Sequence, residues 1–210
     1  MTIRLYDYWR SSACYRVRIA LNLKVLAYEA IDTSLIDGAH RTPEFLARNP
    51  QGFVPMLEVG DVRLVQSLAI IDWLDATQSG PRLIPDDPVA RANALAMAYV
   101  IAADIHPLNN LRIIKYLANE LGVEEGARDE WYRHWVAEGF IALEAMADPG
   151  KPFLGGDTPG VADACLVPQM FNARRFNTPL EAFPNLVCID AGCTALEPFQ
   201  AAHPDAVKAN

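Results

Sequence analysis

The chain has few cysteines, a shortage of cations and no long hydrophobic run. Cys14, Cys165, Cys188 and Cys193 are its only 4 cysteines in 210 residues. They form neither a paired metal-ligand spacing nor a secreted disulfide framework, which predicts a reducing, cytoplasmic setting and no metal site. Lys and Arg total 18 against 26 Asp and Glu, a formal net charge of -8. That balance argues against nucleic acid or an anionic membrane as the main partner. The longest uncharged apolar run, Ala94 to Ala103, is far shorter than the roughly 20 residues that cross a bilayer. The first residues enter a strand almost at once, so no signal peptide is expected. Internal repeats and low-complexity segments are also missing. What is present is apolar content: 51% hydrophobic residues can bury a substantial core in one or two domains.

The most informative stretch is Arg10-Ser11-Ser12-Ala13-Cys14-Tyr15-Arg16-Val17-Arg18-Ile19-Ala20-Leu21. Ile3 to Tyr8 before it reads as a strand, while Val17, Ala20, Leu21 and Lys24 recur at helical spacing. Ser11 and Ser12 therefore fall at a helix start, where free N–H groups and the positive end of the helix dipole favour an anion. A thiolate is such an anion, and thiol pKa values fall at helix N-termini. A serine there also simply caps a helix, and on this stretch alone that is its reading. Cys14 is expected to be a small buried hydrophobe. Next come a strand from Tyr28 to Asp32, a polar loop through His40, and a short helix from Pro43 to Arg48. Asn49-Pro50-Gln51-Gly52-Phe53 leads to Val54-Pro55, where a cis bond would turn the Val54 backbone toward a ligand. The runs Met56 to Val59 and Val62 to Val65 flank Gly60-Asp61 as a hairpin. Gln66-Ser67 then opens an apolar helix with Ser67 as its cap, a second helix start at the same end of the sheet.

The order β-α-β, then hairpin and helix, is that of the thioredoxin-like fold. With Ser11-Ser12 followed by Arg16 to Leu21, Asn49-Pro50-Gln51, Val54-Pro55, Gln66 to Ile71, Asp104 to Asn110, Leu166-Val167-Pro168-Gln169 and Ala173 to Phe176, the chain resembles the glutathione transferase superfamily. The resemblance is closest to its zeta class, the maleylacetoacetate and maleylpyruvate isomerases, and runs over essentially the whole chain. One departure is local: the family usually reads Ser-Ser-Cys-Ser-Trp where this chain has Ala13, Cys14 and Tyr15 after its two serines.

The resemblance implies an α/β plus all-α architecture. Residues 1–80 are expected to form a thioredoxin-like glutathione-binding domain, 81–87 a linker and 88–210 an all-helical substrate-binding domain. Proline and glycine between Ser79 and Pro88 mark the boundary. Helices are expected from Ala90 to Leu121, Glu124 to Met146 and Val161 to about Phe176, with shorter ones after Pro184 and a frayed tail over Ala201 to Asn210. Pro107 should bend the first of these, amid the polar residues Asp104, His106, Asn109, Asn110 and Arg112. For Asp104 and Asn109, a solvated face or dimer contact is an equal alternative to a cleft. Gly160 and Asp163 read as a helix start that serves folding.

The implied activity is glutathione-dependent cis–trans isomerisation of a small acidic unsaturated substrate by a homodimer. Ser11, helped by Ser12, would hold the thiolate, and Arg10 completes the catalytic set. Ser11, Ser12, Ala13, His40, the Val54 backbone, Gln66, Ser67, His106, Asn110 and Arg112 would surround glutathione, with Gln66 and Ser67 on its γ-glutamyl carboxylate. Arg10, Arg112 and Arg175 would take the substrate carboxylates. Arg16, Arg18 and Arg174 are expected in surface or structural ion pairs. Two other readings stay open: a transferase that conjugates or dehalogenates small electrophiles, and a non-enzymatic binding member of the fold.

Overall fold

The computed structural model describes residues 2–208. They divide into two compact units, one made of the chain up to Ile84 together with the stretch from Ala195 onward, the other of Pro85–Thr194. In the first, β1 (Ile3–Asp7), β2 (Glu29–Asp32), β3 (Met56–Val59) and β4 (Val62–Val65) form one sheet in the order β2-β1-β3-β4. β1 runs parallel to β2 and antiparallel to β3, with Leu5 opposite both Ala30 and Leu57. Gly60, at φ 59°, supplies the left-handed residue of the β3–β4 hairpin. Strand alternation sends Ile3, Leu5, Leu57 and Val59 to one face. Val17 and Leu21 of α1 (Ser12–Leu23) cover that face with Ile70 and Leu74 of α3 (Ser67–Thr77). Met56, Val54 and Tyr8 pack on the other side with Phe45 of α2 (Pro43–Arg48). Each fully buried aliphatic side chain contributes about 1.5–3 kcal/mol. A one-residue slip would turn all of them to the wrong face, so burial fixes the register. This is the thioredoxin-like order expected from the sequence.

The second unit holds α4 (Pro88–Tyr99), a π-helical turn (Val100–Ile105), α5 (His106–Asn109), α6 (Leu111–Asn119), α7 (Glu125–Met146), α8 (Val161–Arg175) and α9 (Pro184–Thr194). The single bent helix expected over 90–121 is therefore broken. In a straight helix the ring of Pro107 would strike the carbonyl of Ala103, and the widened turn ahead of it removes that conflict. Asn110 leaves helical conformation at ψ 146° and caps α6, its side chain accepting from the Arg112 N–H at 3.1 Å. Ile101 and Ile105 of the widened turn are buried, as are Val136, Phe140 and Leu143 of α7. The two segments pass so closely that a Cβ on Gly139 would lie 2.3 Å from the Ile105 side chain. At the start of α8, Asp163 accepts the N–H groups of Leu154 at 2.7 Å, Gly155 at 3.0 Å and Gly160 at 2.8 Å. Its role is the folding one expected. Burial still outweighs those bonds and raises its carboxyl above the usual range.

The final segment does not fray from Ala201. It forms α10 (Glu197–Ala202) and α11 (Pro204–Val207), with Phe199 and Ala202 fully buried; the last two residues of the expected tail lie outside those described. It thus falls with the first unit, whereas the expected helical domain ran to 210. The cause is polar as well as apolar. Arg18, fully buried, donates to Asp7 Oδ1 at 2.7 Å, the Trp9 carbonyl at 2.9 Å and the Ala202 carbonyl at 3.0 Å, while Asn22 donates to the Pro198 carbonyl at 2.9 Å. The expected linker is also partly docked. Leu83 and Ile84 are buried and donate to Asp75, which pairs with Lys24 at 3.2 Å. Among the described residues no helix is long and apolar enough to cross a membrane.

Candidate active site

Ser11 stands in extended conformation ahead of α1, and its Oγ accepts from the Cys14 N–H at 3.3 Å. It is therefore the cap. A hydroxyl that accepts through its oxygen still has a proton to donate, so capping and ligand binding are compatible in the same side chain. The Ser11 N–H donates to the Tyr8 carbonyl at 2.8 Å and fixes the turn. Ser12 is buried, Ala13 half-buried and Arg10 exposed, its guanidinium 5.4 Å from the Trp9 ring centre. Cys14 is fully buried, and burial pushes its thiol far above the ordinary cysteine range, the reverse of a reactive thiolate.

The second helix start lies close by. Gln66 precedes α3 at φ 69°, a left-handed backbone for a non-glycine residue, and strain of this kind concentrates at functional sites. Its side chain donates to Gln51 Oε1 at 2.8 Å and places no capping bond on the helix. Ser67 is buried, and its Oγ accepts from Arg16 Nη1 at 3.3 Å. Arg16 thus bridges α1 to the start of α3. It does not belong to the surface, being 2% exposed. Asn49 organises the intervening loop by donating to the Phe53 carbonyl at 2.7 Å and accepting from the Gln51 N–H at 3.1 Å. Gly52, at φ 63°, lies so close to the His40 carbonyl that a Cβ would stand 3.1 Å from it. A continuous path therefore runs from the His40 turn through Gly52 and Gln51 to Gln66 and Ser67. Val54 packs with Tyr8 and Cys14, and the Val54–Pro55 peptide is cis. The Tyr8 hydroxyl is buried with no hydrogen-bond partner among the described residues.

In the second unit, His106 Nε2 lies 3.4 Å from Asn110 Nδ2, so these two candidates meet, and Asn110 also serves as the α6 cap. Arg112 and Arg175 are exposed, the latter with its guanidinium 4.8 Å from the Phe176 ring centre. Asp104 is exposed. Asn109 is buried and donates to the Tyr132 carbonyl at 3.2 Å, a structural role rather than a solvated one. Arg174 pairs with buried Asp190 at 2.7 Å, as expected of a structural ion pair. Sequence reasoning missed Arg16, Asn49 and Tyr8 as parts of this neighbourhood. The one available signal was spacing, since Arg16 falls one helical turn after Ser12.

Residues 1–76 match the glutathione S-transferase N-terminal domain. Over 206 residues the chain is 50% identical to a maleylacetoacetate isomerase of Rhizobium meliloti, an alignment covering 97% of each. A solved maleyl pyruvate isomerase, a bacterial zeta-class glutathione-S-transferase in holo form, superposes with a TM-score of 0.93 at 42% identity over 97% of both chains. A maleylacetoacetate isomerase from Anaeromyxobacter dehalogenans, with dicarboxyethyl glutathione and citrate in its active site, gives a TM-score of 0.86 at 41% identity. That match covers 98% of this chain and 92% of the other. Sequence identity over nearly the full length, with the same fold, places this chain in the maleylacetoacetate and maleylpyruvate isomerase family, within the zeta class of glutathione transferases.

Proposed function

We propose that this chain is a glutathione-dependent cis–trans isomerase that converts maleylacetoacetate to fumarylacetoacetate. The observation that carries the reading is the Ser11 hydroxyl at the open end of α1, its oxygen engaged by the Cys14 N–H and its proton left to donate. The donor set suits a tripeptide with a thiol at its centre and a carboxylate at each end. Ser11 and Ser12 stand at one helix start, Ser67 and Arg16 at another. The Anaeromyxobacter relative's ligand, glutathione bearing a saturated two-carboxylate arm, supports the same chemistry. Bound glutathione supplies a nucleophilic thiolate that adds to the double bond, frees it to rotate and departs unchanged.

The chain's own residues then have three tasks. Ser11 donates to the sulfur, with Ser12, Ala13 and the leading N–H groups of α1 adding to the local field; one such preorganised donor is worth about 3–4 kcal/mol of barrier. Val54 pairs its backbone with the cysteinyl unit, Gln66 and Ser67 hold the γ-glutamyl carboxylate, and His40 meets the glycyl end. His106, Asn110 and Arg112 complete the surroundings. Arg10, Arg112 and Arg175 take the substrate carboxylates, for which a planar guanidinium is the matched partner. A second reading, maleylpyruvate as substrate, is supported by the 42% identity to a maleyl pyruvate isomerase over 97% of both chains. We also propose a cytoplasmic homodimer acting in tyrosine degradation.

Ultraviolet monitoring of each diacid with and without glutathione, beside conjugation of a neutral aromatic electrophile, tests the reading. Glutathione-dependent isomerisation of maleylacetoacetate that outpaces conjugation is expected. Isomerisation of neither diacid would overturn it, and a preference for maleylpyruvate would select the second reading.

A further inference from the structure

Resting on the glutathione reading above, we infer that Arg16 is the positioning residue of the γ-glutamyl carboxylate site and selects for negative charge at that end of the ligand. Arg16 sits on α1 and is 2% exposed, so its guanidinium reaches α3 through the protein rather than through solvent. Nη1 donates to Ser67 Oγ at 3.3 Å, on the first residue of α3. With that oxygen engaged as an acceptor, the Ser67 proton is directed to another partner. Gln66 adds no side-chain cap, so the leading N–H groups of α3 suit the same anion. A guanidinium beside the positive end of a helix dipole is repelled by it. A carboxylate placed there is attracted both by the guanidinium and by the leading N–H groups of α3. Arg16 acts through Ser67 and through its field.

The test is titration calorimetry with no diacid present. Two ligands are compared: glutathione, and glutathione whose γ-glutamyl α-carboxylate has been converted to an amide. Wild-type protein should bind the amide about tenfold more weakly, as expected for one lost charged contact. Arg16→Gln should lose about tenfold in affinity for glutathione and little for the amide, so that discrimination vanishes. Arg16→Lys keeps the charge without the planar fork and should retain part of the discrimination. Equal weakening of both ligands in the variants would mean a merely structural role and overturn the inference; so would undiminished discrimination in Arg16→Gln, or none in the wild type. If Arg16→Gln does not fold, Arg16→Lys decides: reduced discrimination with unchanged amide affinity supports the inference, and any other pattern overturns it. Wild-type protein that binds neither ligand would instead remove the glutathione reading itself.

Discussion

At the scale of single residues, one hydroxyl is asked to do two things. Ser11 caps α1 and, in the proposed mechanism, donates to the sulfur. Ser11→Ala should therefore lower turnover about 100- to 1,000-fold, with glutathione affinity nearly unchanged, because the donor acts most strongly as charge develops. Steady-state kinetics beside binding measurements check this, and unchanged turnover would move the role to Ser12. Arg175→Ala should raise KM for the diacid about tenfold and leave glutathione affinity alone; equal losses for both ligands would contradict the assignment. Burial raises the thiols of Cys14 and Cys193, Cys165 is buried as well, and Cys188 is exposed. Native protein should accordingly take up iodoacetamide at Cys188 alone, as peptide mass mapping would show. Labelling of Cys14 without denaturant would contradict the packing. Ser67, expected as the α3 cap, is instead the first residue of that helix and follows Gln66 at the cap position. Ser11 at a helix start was legible because helix-start chemistry is local in sequence. Arg16 was not, because its partner Ser67 lies 51 residues away and only the folded chain joins them.

At the scale of elements, periodicity placed the strands and most helices, since burial of one face imposes the pattern that sequence reveals. It could not foresee the break in 90–121. That break arises where Pro107 removes an N–H, a widened turn relieves the clash, and Gly139 lets α7 approach Ile105. The last of those causes lies in tertiary packing. The start of α8 is the opposite case: Asp163 three places after Gly160 was readable, and the three N–H groups it holds are found. Asp163→Ala would leave those groups buried without their acceptor and should cost about 3 kcal/mol of stability. Chemical denaturation should show the loss while KM stays unchanged; a fall in turnover without a fall in stability would contradict the folding role.

At the scale of the whole molecule, the segment from Ala195 onward is part of the first unit, because Arg18 ties the Ala202 carbonyl to Asp7 and to the Trp9 carbonyl beside the Ser11 turn. Nothing in the sequence announces such a contact, because the acceptor is a backbone carbonyl 184 residues from Arg18. Deleting 196–210 should uncover α1, leave Arg18 short of an acceptor and abolish glutathione binding in calorimetry; full binding by the shortened chain would show that the segment is dispensable. The central claim is that this chain spends no glutathione. Its most direct measurement follows free thiol and diacid together through many turnovers: the account predicts complete cis-to-trans conversion with the thiol titre constant, and thiol consumed one for one with product would contradict it.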